Sequence, residues 1–151
     1  MALEIPANLK SNVRNCQISS IDKVDEYIRS RSKGSCLISL PTGAGKTGVI
    51  SIVANLISKK NILVITHRRA VCDQLYKNLK EVIFEKIQEG LAETLVTKNV
   101  FNGLEYEDSE GIFCTTFQTL DRVDENFLKK LRDKIDLIII DEGHAEPSAK
   151  W

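Results

Sequence analysis

A glycine-rich loop in the first third of the chain reads Pro41-Thr42-Gly43-Ala44-Gly45-Lys46-Thr47. It follows a short apolar run at residues 36–40 and precedes an apolar, helix-compatible segment at residues 47–59. The order of strand, loop and helix is the context in which such a loop binds phosphate. Glycines let backbone N–H groups approach a crowded anion, and the positive end of the next helix faces it. The alternative is an ordinary glycine-rich turn before a helix.

Each side chain of the loop has a role in the phosphate-binding interpretation. Gly43 and Gly45 provide the backbone N–H groups, Lys46 reaches the β- and γ-phosphates, and the Thr47 hydroxyl ligates Mg²⁺. Leu40 stands where the general pattern has a glycine, and the loop alone leaves kinases, transport ATPases and GTPases open. The predicted nucleotide-binding residues of the loop are Thr42, Gly43, Ala44, Gly45, Lys46 and Thr47.

Two adjacent acids, Asp141 and Glu142, follow an apolar run at residues 137–140. They stand at the carboxyl end of a predicted strand, where α/β sheets present ligands. Asp141 would hold Mg²⁺ through water, and Glu142 would orient the attacking water of a hydrolysis reaction. An acidic pair after a strand is otherwise a helix cap. The phosphate loop favours the catalytic interpretation, and His144, otherwise a structural hydrogen-bonding residue, lies beside the acids.

Predicted strands alternate with predicted helices along the whole chain. Continuous β-branched runs indicate strands that are covered on both faces, and apolar residues at helical spacing indicate amphipathic helices. The alternation predicts an α/β domain with a mainly parallel sheet flanked by helices and right-handed crossovers. We expect strands at residues 36–40, 61–66, 94–97, 112–116 and 137–140, and a loop or hairpin at residues 98–111. We expect helices at residues 17–28, 47–59 and 125–131. A further helix would have its core stripe at Val71, Leu75, Leu79 and Val82 or Ile83 and would end near Gly90.

The composition fits one folded domain. The 151 residues are 42% hydrophobic and 28% charged, which is typical of a soluble globular protein. The 21 basic and 21 acidic side chains cancel, so any contact with nucleic acid must be local. Cys16, Cys36, Cys72 and Cys114 lack zinc-site or redox spacing, so we expect reduced thiols in or near the core and a cytoplasmic protein. The sequence shows neither a signal peptide nor a membrane-spanning run, and we expect no membrane partner.

Four segments in the expected order resemble motifs of the superfamily 2 helicases of the DEAH-like kind. Glycine stands third in the last motif, where alanine or cysteine is more usual. Residues 141–147 with Trp151 are similar to a subset of bacterial and phage-related helicases and restriction-enzyme motor subunits. The four segments are the phosphate loop, Val64-Ile65-Thr66-His67-Arg68-Arg69 with Gln74, Thr115-Thr116-Phe117-Gln118-Thr119-Leu120, and Asp141-Glu142-Gly143-His144.

The resemblance implies a RecA-like P-loop NTPase domain that uses ATP and Mg²⁺ in a nucleic-acid-dependent helicase or translocase. It implies catalytic roles for Lys46, Asp141 and Glu142, metal ligation by Thr47 and Asp141, and a place for His144 at the nucleotide. The resemblance covers nearly the whole chain, which we interpret as the amino-terminal part, residues 1–151, of the first RecA-like domain.

Two further groups of residues acquire roles from the resemblance. Arg14 and Gln17 look like the adenine-reading element, in which a Gln amide pairs with the adenine edge; otherwise Gln17 is a polar residue at a helix start. The later motifs line the nucleic-acid track of the family, where they contact phosphate and sugar. An arginine pair between a strand and a helix is otherwise a solvated turn. The predicted nucleic-acid contacts are Arg68, Arg69, Thr115, Thr116 and Gln118.

The expected partners are nucleic acid, with DNA favoured over RNA, and the second RecA-like domain of a longer chain. The Ser-Ala-Thr motif, the second domain and its arginine finger are absent from this sequence. We therefore expect the isolated chain to bind ATP and hydrolyse almost none. Two alternatives stay open: a non-hydrolysing nucleotide-binding module that holds a partner subunit, and a P-loop ATPase that does not act on nucleic acid.

Overall fold

A computed structural model describes residues 13–30, 33–57, 59–82 and 98–142. The chain divides into two compact units: the loop unit, Met1–Ser58 with Asn78–Thr97, and the sheet unit, Lys59–Lys77 with Lys98–Trp151. A π-helical turn at Asn78–Val82 directly follows the helix Arg69–Lys77. In chain order the elements are α1 (Asn15–Arg29), α2 (Lys46–Leu56), β1 (Ile62–Thr66), α3 (Arg69–Lys77), β2 (Asn99–Asn102), β3 (Gly111–Thr116), α4 (Phe117–Leu120), α5 (Glu125–Lys134) and β4 (Leu137–Ile140).

Among the described residues, the sheet unit contains a four-stranded sheet in the order β2-β3-β1-β4, with all pairings parallel. The register sets Thr66 opposite Thr116 on one side of β1 and Ile65 opposite Ile140 on the other. All residues of β1 and β3 are buried, which is typical of parallel strands with neighbours on both sides. The prediction of an α/β fold with a mainly parallel sheet is confirmed.

The two faces of this sheet are covered by different helices. Alternate residues of a strand point to opposite faces. On one face, Leu63, Ile65 and Phe113 form an apolar cluster with residues of α4 and α5, namely Phe117, Leu120 and Leu131. On the other face, α3 brings Cys72 close to Thr66. The strands β1 and β3 are therefore covered by an apolar cluster on one face and by α3 on the other.

The four cysteines fall into two groups, one buried and one exposed. Cys72 and Cys114 are buried, Cys16 and Cys36 are exposed, and all four thiols are free. Burial raises the pKa of Cys114 to about 12, with a further contribution from Cys72, and it also raises the pKa of Cys72. The two buried thiols are therefore neutral core groups. The expectation of core or near-core thiols is wrong for Cys16, on the exposed start of α1, and for Cys36.

The loop unit is organised around contacts between α1 and α2. Ile21 is fully buried, whereas Lys23 and Glu26 form an exposed ion pair with N and O atoms 2.9 Å apart. The predicted amphipathic helix at residues 17–28 is confirmed. The helix expected at residues 47–59 is also present, and it ends at Leu56.

The strand expected before the phosphate loop is not formed. Residues 36–40 adopt no regular secondary structure, and Leu37 is 89% exposed. A strand depends on hydrogen bonds to a neighbouring strand, so an apolar run alone does not produce one. That prediction was wrong because it considered the hydrophobicity of the run without its pairing.

The segment expected to be a loop or hairpin contains β2, which pairs in parallel with β3. Asn99 and Asn102 are exposed, while Val100 and Phe101 are partly buried, so this edge strand lacks the apolar run seen in β1. Gly111 makes the pairing possible, because an added Cβ there would collide with the Asn99 carbonyl oxygen. The candidate strand at residues 94–97, the side chains of Val82 and Ile83 and the helix end near Gly90 lie outside the described residues.

Lys98, just before β2, carries a strongly perturbed ammonium group. Desolvation lowers its pKa from 10.5 to about 8, although the Asp136 carboxylate acts in the opposite direction. The Asp136 side chain itself accepts the backbone N–H groups of Lys60 and Asn61, at 3.1 and 2.9 Å. Burial of the charged form of Lys98 is therefore a cost of this fold at neutral pH.

We expect Lys98→Met to raise the free energy of unfolding at pH 7, because it removes a desolvated ammonium. Below pH 8 both the folded and the unfolded chain bind the Lys98 proton, and the folded state bears the full cost. Between pH 8 and pH 10.5 the folded chain loses that proton first, so the cost declines as the pH rises. Urea unfolding of both proteins at about pH 7 and about pH 9.5 measures the difference. An equal difference at both pH values would contradict this assignment.

Candidate nucleotide and nucleic-acid site

The phosphate loop has the backbone conformation that its glycines permit. Gly43 and Gly45 have φ values of +79° and +83°, in the left-handed region that favours glycine. The Ala44 N–H donates to the Pro41 carbonyl at 3.0 Å, which closes a turn. Gly45 is the N-cap of α2, and its carbonyl accepts the N–H of Gly48 at 3.0 Å. The two glycines thus turn the chain directly into the helix.

The amino end of α2 combines several groups that bind anions. Within the described residues, no side chain caps this end, and its first turn contains no acid. The first N–H groups of a helix lack intrahelical partners, and the helix dipole places a partial positive charge there. Lys46 and Thr47 are the first two residues of α2 and are partly buried. Backbone N–H groups, an ammonium and a hydroxyl therefore occur within one turn, which suits a polyphosphate.

Arg14 and Gln17 lie beside the phosphate loop, and both donate to its backbone. Arg14 Nη1 donates to the Gly43 carbonyl at 2.7 Å, and Gln17 Nε2 donates to the Gly45 carbonyl at 2.9 Å. Gln17 Oε1 accepts the backbone N–H of Arg14 at 2.9 Å. The residues that the resemblance assigns to adenine recognition are therefore next to the loop, with their donors directed at loop carbonyls.

Gly48 is not among the site residues that the sequence indicates, yet it makes room for Gln17. A Cβ at Gly48 would lie 3.2 Å from Gln17 Nε2, and a Cβ at Gly45 would overlap the same atom. Glycine inside a helix is less stable than alanine by about 0.5–1 kcal/mol, so it usually reflects a close approach. That cost is the one signal in the sequence by which Gly48 could have been found.

The acidic pair follows β4 at the carboxyl edge of the sheet. The Asp141 N–H donates to the Ile65 carbonyl at 2.9 Å, so the ladder between β1 and β4 continues to the first acid. Asp141 is partly buried, whereas Glu142 is exposed and has a φ of +57°. That left-handed conformation costs a non-glycine residue about 1–2 kcal/mol. His144 lies outside the described residues.

Arg68, Arg69 and Gln118 are exposed at the carboxyl ends of β1 and β3. The two arginines follow β1 after His67, and Gln118 is the second residue of α4. The Thr66 hydroxyl donates to the Arg68 carbonyl at 3.2 Å and so stabilises the turn that carries the arginines. Two cations and one amide are thus available at one edge of the sheet, where they can contact an anionic ligand.

The two threonines of the same motif are buried and differ from these exposed residues. Thr115 is 2% exposed and Thr116 is 6% exposed. The Thr116 hydroxyl accepts the Thr119 N–H at 3.3 Å and lies 3.0 Å from the Thr119 hydroxyl, so it caps α4. Contact with nucleic acid stays a prediction for Arg68, Arg69 and Gln118. Burial makes a direct contact unfavourable for Thr115 and Thr116.

Two buried polar atoms at this edge have no hydrogen-bond partner among the described residues: His67 Nδ1 and Thr115 Oγ1. Thr115 pairs with Ile65 in the sheet, and His67 is the first residue after β1. An unpaired buried polar atom costs about 1–3 kcal/mol. The motif therefore contains polar groups that packing alone does not explain.

The sequence model of the type III restriction enzyme res subunit family matches residues 10–151. The chain belongs to this family. The matched region is a superfamily 2 helicase-like ATPase domain, and the parallel sheet with flanking helices is consistent with a RecA-like fold. The match includes all four motifs from the phosphate loop to the acidic pair, so the resemblance seen in the sequence is confirmed. No curated protein matches the chain. Within the described ranges, every helix is too short or too polar to span a bilayer.

We expect Thr116→Val to lower the free energy of unfolding by about 1 kcal/mol, because it removes the cap of α4. Thr115→Val is the matched control, since it removes a buried hydroxyl that has no partner in the described structure. That change should be neutral or stabilising. Urea denaturation of the two variants measures the difference. A loss for Thr115→Val as large as that for Thr116→Val would mean that the Thr115 hydroxyl has a partner in solution.

Proposed function

We propose that this chain is the ATP-binding motor domain of a nucleic-acid-dependent ATPase, a helicase or translocase that is part of a larger restriction-enzyme motor subunit. The observation that carries the proposal is the loop with left-handed Gly43 and Gly45 at the uncapped amino end of α2, in a chain of the res subunit family. This geometry directs anion-binding groups to one place, and the family supplies the chemical context.

ATP is the proposed nucleotide, and its phosphates would bind at residues 41–47. The backbone N–H groups at the start of α2 and the Lys46 ammonium would stabilise the negative charge of the β- and γ-phosphates. The Thr47 hydroxyl and the Asp141 carboxylate are oxygen ligands of the kind that Mg²⁺ prefers. When bound, Mg²⁺ neutralises charge that develops on the phosphates. Each of these groups is therefore of a chemical type that binds a nucleotide or its metal ion.

Glu142 is the proposed residue that orients the attacking water. Its carboxylate can accept a hydrogen bond from water, and the residue is exposed at the end of β4. Its left-handed backbone conformation fixes a side-chain direction that an extended chain would not give. Phosphoryl transfer depends mainly on positioning and on charge around the γ-phosphate, and an arginine finger is worth about 10³ to 10⁵ in rate. We therefore propose that efficient hydrolysis needs the second RecA-like domain.

Nucleic acid is the proposed track of the motor, with DNA favoured over RNA. Arg68 and Arg69 are exposed cations, and Gln118 is an exposed amide donor at the neighbouring strand end. Such groups bind phosphate oxygens without reading bases. Because the whole chain carries no net charge, this local cluster is what would supply the attraction. ATP turnover by the full-length protein that rises with added nucleic acid would exclude a non-hydrolysing module and an ATPase unrelated to nucleic acid.

We expect Lys46→Ala to weaken the binding of ATP with Mg²⁺ by about ten- to a hundredfold, since a hydrogen bond to a charged group contributes about 1.5–3 kcal/mol. Calorimetry on the chain measures the dissociation constant. Lys23→Ala is the control, because it removes an exposed lysine on α1 that lies in a surface ion pair. An unchanged affinity in Lys46→Ala would remove the phosphate loop from the proposal.

We expect the double substitution Arg68→Ala with Arg69→Ala to weaken binding to duplex DNA equally for unrelated sequences. If both arginines contact phosphates, the slope of log K against log salt should fall by about 1.8, from about 0.9 for each contact. The measurement is fluorescence anisotropy of the full-length protein at several salt concentrations. Arg132→Ala, on the exposed surface of α5, is the control. A loss confined to one DNA sequence would contradict backbone contacts.

A further inference from the structure

An open groove in the sheet unit lies between the β2–β3 connection, residues 103–110, and the start of α5. Its volume of about 480 Å³ is within the range of protein ligand pockets, about 300–1,000 Å³. The residues that line the groove are outside the four motifs, so the proposed chemistry of nucleotide and nucleic acid gives the groove no role. The lining includes three apolar or aromatic residues, Leu104, Tyr106 and Phe127, and three charged ones, Glu107, Asp124 and Lys130.

Several contacts fix the two walls of the groove relative to each other. Lys134 Nζ, on α5, donates to the Tyr106 carbonyl at 2.5 Å and lies 4.8 Å from the centre of the Tyr106 ring. The rings of Tyr106 and Phe127 are in contact, with centroids 5.1 Å apart. The Asp124 carboxylate accepts the Phe127 N–H at 2.8 Å and so caps α5. A hydrogen bond, a cation–π contact and an aromatic pair thus join the connection to α5, and the groove is formed before any ligand binds.

The apolar residues of the groove belong partly to the core and partly to the surface. Leu104, Tyr106 and Phe127 pack against the apolar cluster of the sheet unit, and each is only partly buried. The same three residues line the groove, so part of their apolar surface is what a ligand would contact. Covering such surface removes it from water, which is favourable. An aliphatic or aromatic side chain is therefore the kind of group that suits this part of the groove.

The surroundings of the groove are acidic, although the chain has no net charge. Residues 103–110 contain four acids and no basic residue, and residues 121–126 contain three acids and one basic residue. All of these acids are exposed, and Glu110 at the end of the connection pairs with Lys60 at 3.8 Å. Carboxylates repel phosphate groups and attract cations. The charge around the groove therefore favours a cationic ligand over a nucleotide or a nucleic acid.

The charged residues of the lining have both signs. Glu107 and Asp124 are exposed carboxylates, and Lys130 is an exposed ammonium. A cationic ligand would be attracted by the carboxylates and repelled by Lys130, and an anionic ligand would experience the reverse. Substitutions of Glu107 and of Lys130 therefore change the affinity for a charged ligand in opposite directions, and the directions report the sign of the ligand's charge.

We propose that this groove binds a basic segment of a separate protein chain. One apolar side chain of the segment would contact Leu104, Tyr106 and Phe127, and its arginine or lysine side chains would pair with the surrounding acids. Arginine suits both parts of the groove, because its aliphatic stem covers apolar surface while its guanidinium pairs with carboxylate. The proposal is independent of the binding of ATP at residues 41–47, which uses other residues.

The test titrates the isotope-labelled chain with synthetic peptides and follows the backbone amide signals by NMR. The first probe is the capped peptide Gly-Arg-Arg-Leu-Arg-Arg-Gly, the second has serine in place of the leucine, and the third has glutamate in place of every arginine. We expect the first probe to shift the signals of Leu104, Glu107 and Phe127. The second should bind about fivefold more weakly, because it lacks the apolar side chain, and the third should not bind. Binding of the first probe should weaken as the salt concentration rises.

Two variants of exposed residues test the role of charge. Glu107→Lys should weaken binding of the first probe by about tenfold, and Lys130→Met should strengthen it by about threefold. Asp22→Lys and Lys33→Met are the matched controls, since they make the same charge changes at exposed residues of the loop unit. Both controls should leave the affinity unchanged. Circular dichroism of each variant establishes that the fold is retained.

The results separate the proposed ligand from other occupants. A purely structural role of the groove would not change the affinity in opposite directions for Glu107→Lys and Lys130→Met. Unchanged affinity in both variants would overturn the proposal, as would equal affinities for the leucine and serine probes. Preferential binding of the glutamate probe would overturn it in favour of an anionic ligand. The absence of shifts at the groove with about 1 mM of the first probe would also overturn it.

Discussion

The parallel pairing of β1 on both of its sides is the constraint on which the sheet unit depends. Since the strands run in one direction, the residues that follow β1, β3 and β4 all emerge at the same edge. Arg68, Gln118 and Asp141 are far apart in the sequence, yet each lies within two residues of the end of one of these strands. The register from Ile62 to Ile65 therefore decides which residues after the strands become neighbours, and the apolar faces of the sheet stabilise that register.

The loop unit depends on a different constraint, the left-handed conformation of two glycines. Gly43 and Gly45 turn the chain into α2 and leave the amino end of that helix without a side-chain cap. A loop of this kind needs external support, because glycine has more backbone freedom to lose than other residues. Arg14 and Gln17 provide such support through the carbonyls of both glycines. The conformation of the loop therefore involves contacts with a helix that is distant from it in the sequence.

The motif at the end of β3 combines buried residues that stabilise the fold with an exposed residue. Thr116 caps α4, and Phe117 belongs to the apolar cluster. The next residue, Gln118, is exposed. The difference in burial arises because side chains repeat with a period of two residues in a strand and about 3.6 in a helix, and β3 passes directly into α4. Residues of a motif that are equally characteristic in sequence therefore differ in what they can contact. Only the exposed ones are available to an external ligand.

Hydrophobic runs and turn residues were sufficient to predict β1, β3, β4, the helices other than the short α4 and the glycine-rich turn before α2, because these features depend on local pattern. Pairing was not predictable in this way. Residues 36–40 are apolar but form no strand, and Asn99–Asn102 is polar but pairs with β3. The partners of Arg14 and Gln17, the burial of Thr115 and the space that Gly48 leaves for an amide are likewise long-range contacts. They arise only when segments distant in sequence meet, so they belong to the tertiary structure.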